Sequence, residues 1–214
     1  MKLALTFVAA FAFASAASAA LLWDNYDTDG SNGYSMADVS VFGAQRALLD
    51  DFEVPDTGWI LQDFHALMLW NSSGVGKGTD FVLEFRPDIG GAPDPNPGIQ
   101  TTGHIYSEEL TGRVWFSRQE VELTLEFDDF AIDPGVWWWW GYVVGPENAF
   151  MMIDQSSILL SECWVDYDDL GGLQSGTTQF GVAADLAYQL TGIVPAPGAL
   201  ALLGLAGLVS RRRR

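Results

Sequence analysis

The chain has 214 residues, 49% hydrophobic and 18% charged, with 28 acidic against 10 basic side chains and a net charge of −18. A field of that sign argues against nucleic acid and anionic lipid surfaces as partners of the body. The single cysteine, Cys163, excludes an internal disulfide, so a folded body must rest on its apolar core.

The chain opens with Met1-Lys2, a short positive stretch, followed by the apolar run Leu3 to Phe13 and small residues from Ala14 to Ala20. Ala17-Ser18-Ala19 and Ser18-Ala19-Ala20 are A-x-A-like sites, so residues 1–20 are expected to be a signal peptide cleaved after Ala19 or Ala20. Next comes Asn25-Tyr26-Asp27-Thr28-Asp29-Gly30, the front half of a calcium loop, with oxygen ligands at alternate positions and a glycine for the turn. Calcium at Asn25, Asp27 and Asp29 is the cofactor expectation. Met36 stands where a bidentate glutamate would complete an EF-hand, and Asp and Asn also favour turns for local backbone reasons.

Residues 21–193 are the size of one domain, and they read as β. Phe81, Leu83 and Phe85 alternate with Val82, Glu84 and Arg86. Val121, Leu123, Leu125 and Phe127 alternate with Glu122, Thr124, Glu126 and Asp128. A period of two puts one set of each on a buried face and most of the other in water. Further strands are expected at 38–42, 46–53, 59–70, 104–110, 136–144, 149–154 and 186–191, with turn-rich segments at 71–78, 87–98, 133–135 and 171–176. The only helical candidates are short, near 35–37 and 156–160. About nine short strands predict an all-β fold, a β-sandwich for which a jelly roll is the candidate topology.

Four consecutive indoles, Trp137 to Trp140, are the most unusual feature of the body. On a strand, Trp137 and Trp139 share one face, and Trp138 and Trp140 the other. One pair fills the core. The other, Trp138 with Trp140, is either a ligand platform for stacking on sugar rings or is covered by a loop. The acids Asp50-Asp51 and Asp166, Asp168, Asp169 form clusters, but adjacent strand residues point to opposite faces. A hydrolase needs two carboxylates facing one cleft. His65 and His104, the only histidines, lie far from any metal-binding or triad motif and read as partly exposed strand residues. No catalytic residue is assigned.

The chain closes on Val194-Pro195-Ala196-Pro197-Gly198, an apolar run from Ala199 to Ser210, and Arg211, Arg212, Arg213 and Arg214. As a helix the run spans roughly 18 Å against roughly 30 Å of hydrocarbon, and the arginines hold its end at the cytoplasmic face. This order of proline motif, apolar run and arginines resembles the PEP-CTERM sorting signal, with Ala196 in place of the family's glutamate. The resemblance implies a sorting tail over 194–214 recognised by an exosortase-type enzyme. It implies a transient stay in the inner membrane, and then release to the cell envelope or the exterior. Ala47-Leu48-Leu49-Asp50-Asp51-Phe52-Glu53-Val54 followed by Gly58-Trp59-Ile60 is similar to the opening of many such exported proteins. So are Pro134-Gly135-Val136-Trp137-Trp138 and Asp185-Leu186-Ala187-Tyr188-Gln189-Leu190-Thr191-Gly192 at their own places. The expected function is a non-enzymatic, structural or adhesive protein of the envelope or extracellular matrix, in an exopolysaccharide setting. The alternatives are a carbohydrate-binding module using the Trp137–Trp140 strand and a secreted hydrolase.

Overall fold

In the structure, a computed structural model, residues 19–195 are described apart from 29, 31, 73, 79 and 146 and the side chain of Thr102. Residues 1–18 of the expected signal peptide and the tail from Ala196 onward lie outside the described residues. The body is all-β. Its strands are β1 (Ala20–Asn25), β2 (Gly33–Met36), β3 (Arg46–Val54), β4 (Trp59–Trp70), β5 (Asp80–Pro87), β6 (Ile99–Trp115), β7 (Arg118–Ile132) and β8 (Gly135–Val144). They continue with β9 (Ala149–Asp154), β10 (Trp164–Tyr167), β11 (Gly172–Ser175), β12 (Asp185–Leu186) and β13 (Tyr188–Ile193). Two short helices, α1 (Val39–Phe42) and α2 (Gly176–Phe180), interrupt them.

The strands form one antiparallel sheet in the order β1-β13-β4-β7-β6-β5-β8-β3-β10-β11, with β9 joining β4, β2 and β12. The sheet curls until its two arms face each other. Phe64 on β4 shows this: its ring lies 5.0 Å from Trp139 on β8, although β7, β6 and β5 separate the two strands along the hydrogen-bonded path. Phe64 also stacks on Tyr188 at 5.6 Å and tilts against Phe81 at 5.8 Å. Fully burying each such ring contributes up to about 3 kcal/mol, and these rings are the centre of the core.

Most expected strands lie where the alternation puts them. Three segments differ. The 38–42 segment is a one-turn helix, because Asp38 caps it by accepting from Ser40 N–H and Gly43 closes it at φ 71°. The 35–37 segment is part of β2 and its flanking bridge rather than helical, and it pairs with β9. The 156–160 segment takes neither form, its turn being set by Asp154, which accepts from the backbone and hydroxyl of Ser156. Inside the 171–176 turn region the structure adds β11, paired with β10.

The hairpin of β6 and β7 positions a large opening in the surface. Its register runs from Trp115↔Arg118 to His104↔Glu126 and stops there. From that point β6 follows β5, with Gly103↔Phe81 and Ile99↔Phe85, while β7 follows β4, with Phe130↔Leu61 and Ile132↔Trp59. The parting has a local cause. On β7, Phe127, Asp128 and Asp129 stand opposite Gln62 alone, so β7 bulges and bends. Gln62 donates to the Asp129 carboxylate at 3.1 Å and fixes the bulge.

Candidate functional site

The tryptophan strand does not present an open platform. Trp139 is in the main core and Trp137 packs against it. Trp138 and Trp140 face the other side, as the alternation requires, but they are 0% and 8% exposed. There they form a second cluster with Ala47 and Leu49, flanked by Trp164 and Leu173 of β10 and β11. Their indole N–H groups are spent on Asp88 at 2.9 Å and Asp166 at 3.0 Å. The reason for burial is the covering chain: β10 and β11 extend the sheet beside them, and the proline-rich segment 88–98 is folded over the same face. That segment is tied down by Glu84, which accepts from Gly98 N–H at 2.7 Å, Gln100 at 2.9 Å and Arg86 at 2.6 Å. Burial opposes ionisation of Glu84, yet these bonds outweigh it and hold its carboxyl below the usual range.

Three body segments, 47–54, 134–138 and 185–192, meet in space. β3 pairs with β8 from Leu48↔Gly141 to Val54↔Gly135, which lays the acidic segment along the tryptophan strand. The third segment crosses both: Leu186 N–H donates to Asp50 at 2.7 Å and the Tyr188 hydroxyl to the Asp51 carbonyl at 2.6 Å. β10 covers the edge of β3 only from Arg46 to Leu49. From Asp50 onward, segment 155–163 and β12 close that edge, with Ser161 N–H directed at Asp51 and Leu159 N–H at Asp185.

Asp50, Asp51 and Asp185 are therefore buried together. Asp51 Oδ2 and Asp185 Oδ1 have no hydrogen-bond partner. Burial, then the charges of Asp185 and Asp51, pushes the Asp50 carboxyl well above its ordinary range. Burial raises Asp51 and Asp185 to about 7 each. The Cys163 thiol, buried behind them, is pushed up by burial and by Asp50 and Asp185, so it is a packing thiol rather than a nucleophile. Among the described residues, no three histidine, cysteine, aspartate or glutamate side chains converge to hold a metal ion.

Of the expected calcium residues, Asn25 and Asp27 are among the described residues. The Asn25 amide donates to the Leu186 carbonyl at 3.0 Å, and the Asp27 carboxylate accepts from Thr28 N–H at 2.8 Å. Asp29 is outside the described residues. Of the residues expected to form a sorting motif, Val194 and Pro195 follow β13 directly, while Ala196, Pro197, Gly198 and the four arginines lie beyond the described residues. No helix among the described residues is long and apolar enough to cross a membrane.

A cleft of about 620 Å³ opens at the place where β6 and β7 part. Gln100 and His104 stand on the β6 side and Glu126 and Asp128 on the β7 side, with Val82 and Phe127 as the apolar part of the lining. His104 Nδ1 is 2.7 Å from the Asp80 carboxylate. A carboxylate only accepts, so Nδ1 carries a proton and Nε2 is the ring nitrogen left free. His65 sits apart, half-buried against the Thr124 hydroxyl at 3.1 Å, and burial lowers its pKa. The strand reading anticipated the outward faces of Glu126 and Asp128 but not the cleft. The signal was in the sequence: after Phe127 the next inward residue is Phe130, a spacing of three that breaks the alternation and marks the bulge.

No family model matches the chain, and no curated protein matches it.

Proposed function

We infer that this chain is an exported, non-enzymatic protein of the cell envelope or extracellular matrix. Its all-β body is carried between a cleaved leader and a PEP-CTERM-like sorting tail, and an exosortase-type enzyme is its processing partner. The observation that carries this reading is the order of parts in the sequence. An apolar leader with A-x-A-like sites precedes an acidic body, and Pro195, Pro197 and Gly198, an apolar run and four arginines follow it. The body suits that role. Many of its large apolar residues lie in a main core and two outer clusters, and its acids far outnumber its cations, which favours solubility outside the cell. The facing of β4 and β8 across Phe64 and Trp139 supports reading the curled sheet as two packed layers, the sandwich expected from the strand pattern.

The buried carboxylates support a scaffold role rather than a catalytic one. Asp50 and Asp185 are spent on backbone N–H groups that close the edge of β3, and they face the core rather than an opening. The test is the intact mass of the protein purified from its native host. A mature chain starting near Ala20 and ending near Pro197 is expected. A chain that keeps Arg214 would make the tail a permanent anchor, and one that keeps Met1 would remove the export route.

A further inference from the structure

The geometry points to the cleft between β6 and β7 as a binding site for a neutral, hydroxyl-rich saccharide. This inference goes beyond the export reading and does not rest on it. The lining is mixed in a way that separates ligand classes. No lysine or arginine among the described residues lines it, and Glu126 and Asp128 are both exposed to it, so phosphates, uronates and nucleic acids are repelled. Neither carboxylate has a hydrogen-bond partner among the described residues, so both keep their full accepting capacity.

A basic peptide would satisfy those carboxylates but would leave the rest of the lining idle. Lysine and arginine bring only donors. The cleft supplies more than acceptors. The Gln100 amide is fixed by its bond to Glu84 at 2.9 Å, which leaves a carbonyl oxygen and a second N–H to offer. Asp80 turns His104 so that Nε2 is its free atom. A sugar hydroxyl is both donor and acceptor, and a vicinal pair can bridge one carboxylate and a neighbouring amide or imidazole. The Val82 side chain and the Phe127 edge supply the apolar contact that the C–H face of a pyranose needs.

The fold makes the site a fixed one. The bulge at 127–129 opens it, Gln62 holds the bulge through Asp129, and the paired stretch from Ile105 to Val121 holds the closed end. Beside it on β6 the register slips between Ile105 and Ser107, and Tyr106 stands 68% exposed two residues from His104. Unlike the buried Trp138 and Trp140, this ring is exposed, and it lies close to His104 along β6.

The test is calorimetric titration of the full-length protein with neutral hexasaccharides of glucose and of N-acetylglucosamine, with a lysine-rich octapeptide and oligogalacturonate alongside. At least one neutral hexasaccharide is expected to bind in the micromolar to millimolar range, and the other two probes to give no saturable heat. Glu126→Gln combined with Asp128→Asn should weaken that binding at least tenfold with no change in melting temperature. Gln100→Ala serves as a second variant, expected to weaken it several-fold. Silence from every neutral hexasaccharide, undiminished binding in the double variant, or tighter binding of the octapeptide would each overturn the site. Shortened saccharides in the mixture would support the site while overturning the non-enzymatic reading. The mass of the mature chain tests export separately.

Discussion

Two groups of carboxylates in this protein behave in opposite ways. Asp50, Asp51 and Asp185 are buried beside one another with no cation paired to them among the described residues, so burial raises their carboxyls, and they act as hydrogen-bonding parts of the scaffold. Glu126 and Asp128 carry the same functional group on the bulged stretch of β7, open to solvent and unpartnered among the described residues. The chemistry of a carboxyl group does not decide its role here; the sheet does. Where an edge of β3 must be closed, the acids become caps for incoming N–H groups. Where β7 bends away from β6, they are left facing an opening. An acidic composition therefore says little until pairing is known.

The sharpest way to separate the regions is to remove a ring from the buried one. Phe64→Ala takes away the ring that touches Phe81, Trp139 and Tyr188, and should cost about 3–5 kcal/mol in urea unfolding. Trp138→Ala with Trp140→Ala should also be strongly destabilising, since both indoles are buried and hydrogen-bonded. A variant pair that folds normally would restore the idea of an exposed platform.

Gly192→Ala comes next. A Cβ at Gly192 would run into the Ile60 carbonyl oxygen and, at 2.9 Å, the Leu22 side chain. Forcing β13 away from β4 should cost about 1–3 kcal/mol, read as a lower midpoint in the same titration.

The fourth prediction concerns pH. In the unfolded chain the carboxyls of Asp51 and Asp185 titrate near about 4. In the folded chain burial raises both to about 7. Below the first value both states hold the protons. Between the two values the unfolded chain ionises while the folded chain keeps its protons, so this contribution to stability is lost as pH rises, and it levels off above about 7. Asp185→Asn removes one of these protons. The stability difference between variant and wild type should shift in the variant's favour by up to about 1.4 kcal/mol per pH unit across that window. A pH-independent difference would mean that Asp185 is ionised in the folded protein.

The smallest effect is expected in the open region. Glu126→Gln should leave unfolding free energy within about 0.5 kcal/mol of wild type, because the side chain is exposed and unpartnered among the described residues. A large loss would move Glu126 from the cleft into the scaffold.

Much of the fold was legible because alternation is a direct record of burial. The inward faces of β5 and β7, the division of the four tryptophans between two faces and the long loop at 88–98 all followed from a period of two or from proline content. What alternation could not show was the covering of the second face. Trp138 and Trp140 read equally well as exposed or buried until β10, β11 and segment 88–98 were in place, and those contacts are long-range. The meeting of Asp50 with Leu186 is likewise non-local, joining residues far apart in sequence. The helix at 39–42 was misread because Val39, Val41 and Phe42 favour strands, while the caps at Asp38 and Gly43 decided the local backbone. The cleft lay between these cases: the phase break from Phe127 to Phe130 was visible, but its effect required knowing that β6 and β7 are paired up to that point.

β13 carries one more consequence. It lies between β1 and β4, bonded along both edges, with Ala20↔Gly192 on one side and Ile193↔Ile60 on the other, and the chain leaves it at once through Val194 and Pro195. A pull on the tail therefore runs along the strand axis and loads two ladders in shear simultaneously, instead of peeling one bond at a time. The strand from which the chain exits is gripped on both sides, and stretching the molecule from its C-terminal side should meet its first resistance there.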